Sequence, residues 1–120
     1  MDDQVTGAEL ILAARRRQLD SEDAEHMEMF EDTQTNGELG AVAACYAMPE
    51  HARQLRAAEA SGSIGPLLHA LWPWNMQSWS PVQATEVPDP DQARIADLVQ
   101  AGAMLSAEID RLLRLQRRGR

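Results

Sequence analysis

Apolar residues recur at helical spacing in three stretches of the chain, and the segments between them lose that period. Leu10, Ile11 and Ala14 mark one face of the first stretch, with Arg15, Arg16 and Arg17 beside it. Leu39, Val42, Ala43 and Tyr46 follow the i, i+3, i+4, i+7 pattern of a helix with one buried face. Ile95, Leu98, Val99, Gly102, Leu105, Ile109, Leu112 and Leu113 extend the same pattern over the last stretch. Helix-start signals precede each run. Thr6-Gly7-Ala8-Glu9 and Thr35-Asn36-Gly37-Glu38 both fit a capping box, in which a hydroxyl and a carboxylate satisfy two free amide donors. Asp89-Pro90-Asp91-Gln92 places Asp at the cap and Pro at the first helical position. Three main helices are therefore expected: from Thr6 to about Leu19, from Glu38 onward, and from Pro90 to Arg117.

The second helix carries small residues (Gly40, Ala41, Ala44, Cys45, Ala47) around its apolar stripe, so neighbours can approach it closely. It is expected to be the most buried, with Cys45 a small core residue. Gly102, between Ala101 and Ala103, suggests a tight crossing against that helix. Asp110 and Arg114 stand at pairing distance along the last helix. The seam is long for a 120-residue chain, so its C-terminal part is expected to pack on a second copy. Between the main runs, Glu50 to Ala60 reads as a short exposed helix and 61–65 as a breaker. Pro66 to Leu71 reads as one or two helical turns. The expected architecture is a single all-α domain over 1–120, a small helical bundle. Residues 20–34 would be an acidic loop or short helix, 61–90 a Gly/Pro/Trp-rich connection, and 118–120 a frayed tail.

Leu71-Trp72-Pro73-Trp74-Asn75-Met76-Gln77-Ser78-Trp79-Ser80-Pro81 holds all three tryptophans and cannot be helical throughout, because Pro73 and Pro81 interrupt it. It is expected to cross one end of the bundle. Either its rings close the end of an Ala-rich core, or Trp72, Trp74 and Trp79 stack on a planar ligand or anchor a partner. Arg15, Arg16 and Arg17 suit either the negative end of their helix or a bound anion.

Charge is unevenly spread. The net value is −8, there is no lysine, and Asp20 to Glu38 contains eight carboxylates and no base. Such a chain is a poor general ligand for nucleic acid. Asp20, Glu22, Asp23, Glu25, Glu28, Glu31 and Asp32 form a candidate acidic interaction surface. Glu22, Glu25, His26, Glu38 and Asp97 are the candidate ligands for a divalent ion such as Mg2+, although no fixed spacing marks a site. One cysteine makes no internal disulfide, and the first residues lack the order of a secretory signal. No nucleophile elbow or catalytic triad is evident among the serines and histidines.

Arg-Arg-Arg-Gln (15–18), Asn-Gly-Glu-Leu (36–39), Ala-Ala-Cys-Tyr-Ala (43–47), Leu-Trp-Pro-Trp (71–74), Trp79, Pro81 and the run 98–112 together resemble a group of small uncharacterised proteins of tailed phages and prophages. The resemblance covers most of the chain. It implies an accessory protein acting in the host bacterial cytoplasm and implies no reaction. A more distant similarity is to the all-α MazG-type nucleoside triphosphate pyrophosphohydrolases, which hold magnesium between paired carboxylates. Neither of their carboxylate patterns is intact here: Glu38 stands alone, and Asp97 and Glu108 lie about three turns apart.

The leading expectation is a non-enzymatic binding protein, most simply one that counters host defence. The acidic run would mimic a phosphate backbone in the basic groove of a nucleic-acid-binding complex such as CRISPR-Cas, or the Trp and Arg residues would sequester a nucleotide signal. The alternatives are a metal-dependent pyrophosphohydrolase and a phage assembly protein. A homodimer is expected.

Overall fold

The computed structural model describes residues 4–20, 23–58, 62–82 and 88–119. In chain order it has α1 (Gly7–Leu19), α2 (Ala24–Asp32), α3 (Glu38–Ala47), α4 (Glu50–Arg53), β1 (Arg56–Ala58), β2 (Ile64–Pro66), α5 (Leu67–Leu71), a 3-10 turn (Met76–Ser78) and α6 (Pro90–Arg117). The fold is all-α apart from the two short strands. No helix among the described residues is long and apolar enough to cross a membrane.

α6 is the backbone of the molecule. Its 28 residues span about 42 Å. Asp89 caps it by accepting from the Asp91 amide at 2.9 Å, with Pro90 at the first helical position. α3 packs along one side of α6 and α1 along another, and α2 bridges the α1–α6 end. α1 starts with a complete capping box: the Thr6 hydroxyl accepts from Glu9 N, and the Glu9 carboxylate accepts from Thr6 N, each at 3.2 Å. The radius of gyration is 16.0 Å, against about 14 Å for a spherical domain of this length. The long helix therefore carries a thin layer of partners rather than sitting inside a closed bundle.

The core lies between α3 and α6 and is sealed at one end by the tryptophan segment. Leu39, Val42, Ala43, Cys45 and Tyr46 of α3 meet Ala101, Met104 and Ala107 of α6, with Leu68 and Trp72 added from the connection. Cys45 is fully buried, and desolvation pushes its thiol up to about 11.

Several local expectations are corrected. Thr35 does not cap α3. Gly37 sits in the left-handed region (φ 79°) as the cap residue, the helix starts at Glu38, and the Glu38 carboxylate turns back to the Asn36 amide at 2.7 Å. The cap thus lies at Gly37, two residues past Thr35. The helix expected over 50–60 stops at Arg53. The chain then pairs antiparallel with the segment after Gly62, in the register Arg56↔Pro66, Ala57↔Gly65 and Ala58↔Ile64. Gly62 has φ 87° and lies on the reversal between the strands. Gly102 does make a tight crossing, but with α1 rather than α3: a Cβ there would lie 2.5 Å from Ile11 Cδ1.

The largest correction concerns α6. Its buried positions are Ala93, Asp97, Ala101, Ala103, Met104, Ala107, Arg111 and Arg114. The N-terminal part of the apolar seam, expected to pack within the chain, faces outward together with the C-terminal part expected on a second copy: Ile95, Leu98, Leu105, Ile109, Leu112 and Leu113 are each 38–57% exposed. Small alanines let α3 and α1 lie close to α6. The charged members of the buried face are neutralised by other helices or, for Arg111, by Glu108 of α6 itself.

Candidate functional site

Three arrangements gather the residues able to do chemistry. The first is an ion-pair network joining α1, α2 and α6. Arg15 is buried and forms a two-pronged pair with Glu31, from Nη1 to Oε2 at 2.7 Å and from Nη2 to Oε1 at 3.1 Å. It also donates to Asp110 Oδ2 from Nε (3.0 Å) and Nη2 (2.8 Å), and to Gln18. From the other side, Arg114 Nη2 reaches Glu31 Oε1 at 3.3 Å and Asp32 Oδ1 at 2.9 Å, and Arg118 reaches Asp32 Oδ2 at 3.2 Å. The expected Asp110–Arg114 pair is therefore replaced by two pairs between helices. Fork-to-carboxylate geometry of this kind holds guanidinium groups in place. For Arg15, burial works against the charged form, but Glu31 and Asp110 outweigh it and raise its pKa.

Asp32 shows the reverse balance. Desolvation pushes its pKa up, but the hydrogen bonds and charges of Arg114 and Arg118 win and hold it below the ordinary aspartate range. A depressed carboxylate stabilises the fold above its unfolded pKa, near ~3.9, and that contribution disappears as pH falls through the lower folded value. Thermal melts of wild type and Asp32→Asn from pH 7 down to pH 2 should therefore converge below about pH 4. A gap that stays constant across that range would refute this role for Asp32.

The second arrangement is the aromatic end. Trp72 is 7% exposed, and its Nε1 donates to Asn75 O at 3.0 Å. Trp74 donates from Nε1 to Gln34 Oε1 at 2.8 Å and packs against Phe30 at 5.5 Å between ring centroids. Trp72 lies edge-on to Tyr46, Trp74 and Trp79 at 6.0, 5.7 and 5.1 Å, and Tyr46 meets Trp79 at 4.7 Å. The rings serve as one another's contacts, as in the end-closing reading. Phe30, from the acidic segment, joins them.

The third arrangement is a cavity of about 430 Å³ beside this end, lined by Glu50, Arg53, Val82, Pro90, Ala93, Arg94 and Asp97. Arg53 stands over the Trp79 ring at 5.0 Å, donates to Tyr46 O at 3.2 Å and meets Asp97 at 3.5 Å. Asp97 also accepts from the Val82 amide at 2.9 Å. Arg94 reaches across to the last carbonyls of α3, those of Ala47, Met48 and Tyr46. Cations at that end complement the helix dipole. Nothing in the local sequence around Arg53 or Arg94 announced these roles. Asp97 lies 44 residues from Arg53, and Arg94 reaches α3 carbonyls 46 to 48 residues away.

The candidate residues named from sequence are thus scattered over these arrangements. Arg15 points inward, while Arg16 and Arg17 are exposed. Of the acidic surface, Glu31 and Asp32 are spent on arginines. Asp20, Asp23, Glu25 and Glu28 remain exposed, and Glu22 lies outside the described residues. The metal set is not brought together: His26 sits 3.7 Å from Asp23 on the surface, Glu38 binds a backbone amide, and Asp97 faces Arg53. Among the described residues, no group of three or more His, Cys, Asp or Glu is placed to hold a metal ion.

No family model, curated protein or solved structure matches the chain.

Proposed function

We propose that the chain is a non-enzymatic binding protein that works through protein contact. The observation that carries this reading is the outward apolar face of α6, where six Ile and Leu side chains stand exposed in one row. Contiguous apolar patches of this kind mark contact surfaces. Several of the groups that nucleotide capture would need are committed elsewhere. Arg15, Arg53, Arg94 and Arg114 are engaged by carboxylates or carbonyls, and the Trp72 and Trp74 ring nitrogens donate within the chain, while Arg16 and Arg17 stay exposed. The similarity to small phage proteins suggests a counter-defence setting in the host cytoplasm. Asp20, Asp23, Glu25 and Glu28 would then supply the charge that steers the protein toward a basic partner surface.

A plaquing assay in a host with an active nucleic-acid-targeting defence complex tests this. Expression of the wild-type chain should raise plaquing of a targeted phage at least about tenfold. Reversal of Asp23, Glu25 and Glu28 to Lys should abolish the effect by removing the steering charge. Release of pyrophosphate from a nucleoside triphosphate panel with Mg2+, or nucleotide retained by the purified chain, would overturn the reading.

A further inference from the structure

We infer that the exposed face of α6 is covered by α6 of a second copy, in an antiparallel two-fold pairing. This rests on the reading of that face as a contact surface. Ile95, Leu98, Gly102, Leu105, Ile109 and Leu112 are separated alternately by three and four residues, the a/d spacing of a seam between two helices. From Ile95 to Leu112 the row is about 26 Å long. A single antiparallel register matches every layer. Ile95 lies on Leu112 of the second copy, Leu98 on its Ile109, and Gly102 on its Leu105. The same three layers then repeat by symmetry, as a closed two-fold interface requires.

The choice of an antiparallel second copy follows from charge. Opposed directions bring Asp91, at the acidic start of α6, alongside Arg117 at the far end of its copy, whereas parallel pairing would stack like charges. Ile11 of α1 fills the Cβ direction of Gly102, so Leu105 of the second copy would meet a surface made by Gly102 and Ile11 together. The positions flanking the seam are Arg94, Val99, Ala101, Ser106, Glu108, Leu113 and Leu115. The two charged ones are occupied within the chain, Arg94 by the Met48 carbonyl and Glu108 by Arg111. Leu12, 49% exposed on neighbouring α1, widens the apolar face. The large radius of gyration has the same cause: the helix lacks its second layer.

The test uses the full chain. Sedimentation should give twice the 13.3 kDa chain mass. Leu105→Glu with Ile109→Glu, both at exposed positions, should give the monomer mass with unchanged helical circular dichroism. Asp91→Arg should weaken the dimer by roughly three- to tenfold, and adding Arg117→Asp should restore it. That rescue occurs only in the antiparallel arrangement, and it does not depend on the glutamate variants folding. A wild-type monomer at 100 µM, a dimer indifferent to the glutamate pair, or Asp91→Arg left unrescued by Arg117→Asp would overturn the inference. If the wild type is monomeric, capture of a host protein that the glutamate pair abolishes leaves α6 a contact face and sinks only the self-pairing. A monomer that captures nothing sinks both.

Discussion

Glu31→Gln should destabilise the protein by about 3–5 kcal/mol, the cost of breaking a buried pair and leaving a charge uncompensated. Glu31 is 2% exposed and is shared by two guanidinium groups, Arg15 at 2.7 Å and Arg114 at 3.3 Å. A neutral amide keeps the shape but removes the charge both of them face, and its NH2 would point a donor at a donor. At this chain length the loss corresponds to a fall in Tm of roughly 10–20 °C. The informative control is Arg15→Met combined with Glu31→Leu. Replacing both partners by apolar groups of similar size is often close to neutral, so the double variant should recover a large part of what Glu31→Gln loses. Arg114 would keep Asp32, and Asp110 would be left with water. Urea denaturation of the single and double variants checks this. Equal losses in both would show that the network is not acting as a coupled unit.

Trp72→Ala should cost a similar amount, about 3–5 kcal/mol, through the cavity left by a large buried ring. Trp72 touches Tyr46, Trp74 and Trp79 edge-on, and its ring nitrogen donates to the Asn75 carbonyl. Deletion opens the α3–α6 core at the end this segment closes. Trp79→Ala should cost less, because Trp79 is only half-buried and part of its contact is with the Arg53 guanidinium. Trp72→Phe should fall between wild type and the alanine variant. Chemical denaturation followed by far-UV circular dichroism, which does not rely on the deleted fluorophore, gives the ranking. A Trp72→Ala variant as stable as wild type would mean that the ring is not a core residue and would reopen its assignment to a ligand.

What could be read in advance depended on whether the cause was local. The starts of α1 and α6 were legible because Thr6, Glu9, Asp89 and Pro90 act within three residues of themselves. The burial of α3 was legible from its small side chains. The outward turn of the α6 seam was not. Periodicity ranks Ile and Leu above Ala and Arg for burial, yet Asp97, Arg111 and Arg114 go inside because partners on α2, on α4 or one turn away on α6 itself neutralise them. The strand pair was hidden for a related reason. Arg-Ala-Ala and Ile-Gly-Pro have little strand preference of their own, and their pairing comes from a chain reversal. At the aromatic end, a Trp/Pro-rich segment was visible as a unit. Its engagement of Tyr46, Phe30 and Gln34 was not, since those contacts cross 26 to 44 residues.

The ion-pair network also sets a timetable for the protein's birth. Arg15 and Glu31 are 16 residues apart, but Glu31 and Arg114 are 83 apart. At translation speeds of roughly 5–20 residues per second, the ribosome needs on the order of 4–17 s to travel from one to the other. Throughout that interval the nascent α1–α2 segment carries its carboxylates without Asp110, Arg114 or Arg118, and α3 waits for the long helix that covers it. Folding is therefore deferred until α6 emerges, and the early segments must stay soluble meanwhile. The acidic run between α1 and α3 suits that interval, because like charges hold an unfinished chain open and apart from its neighbours.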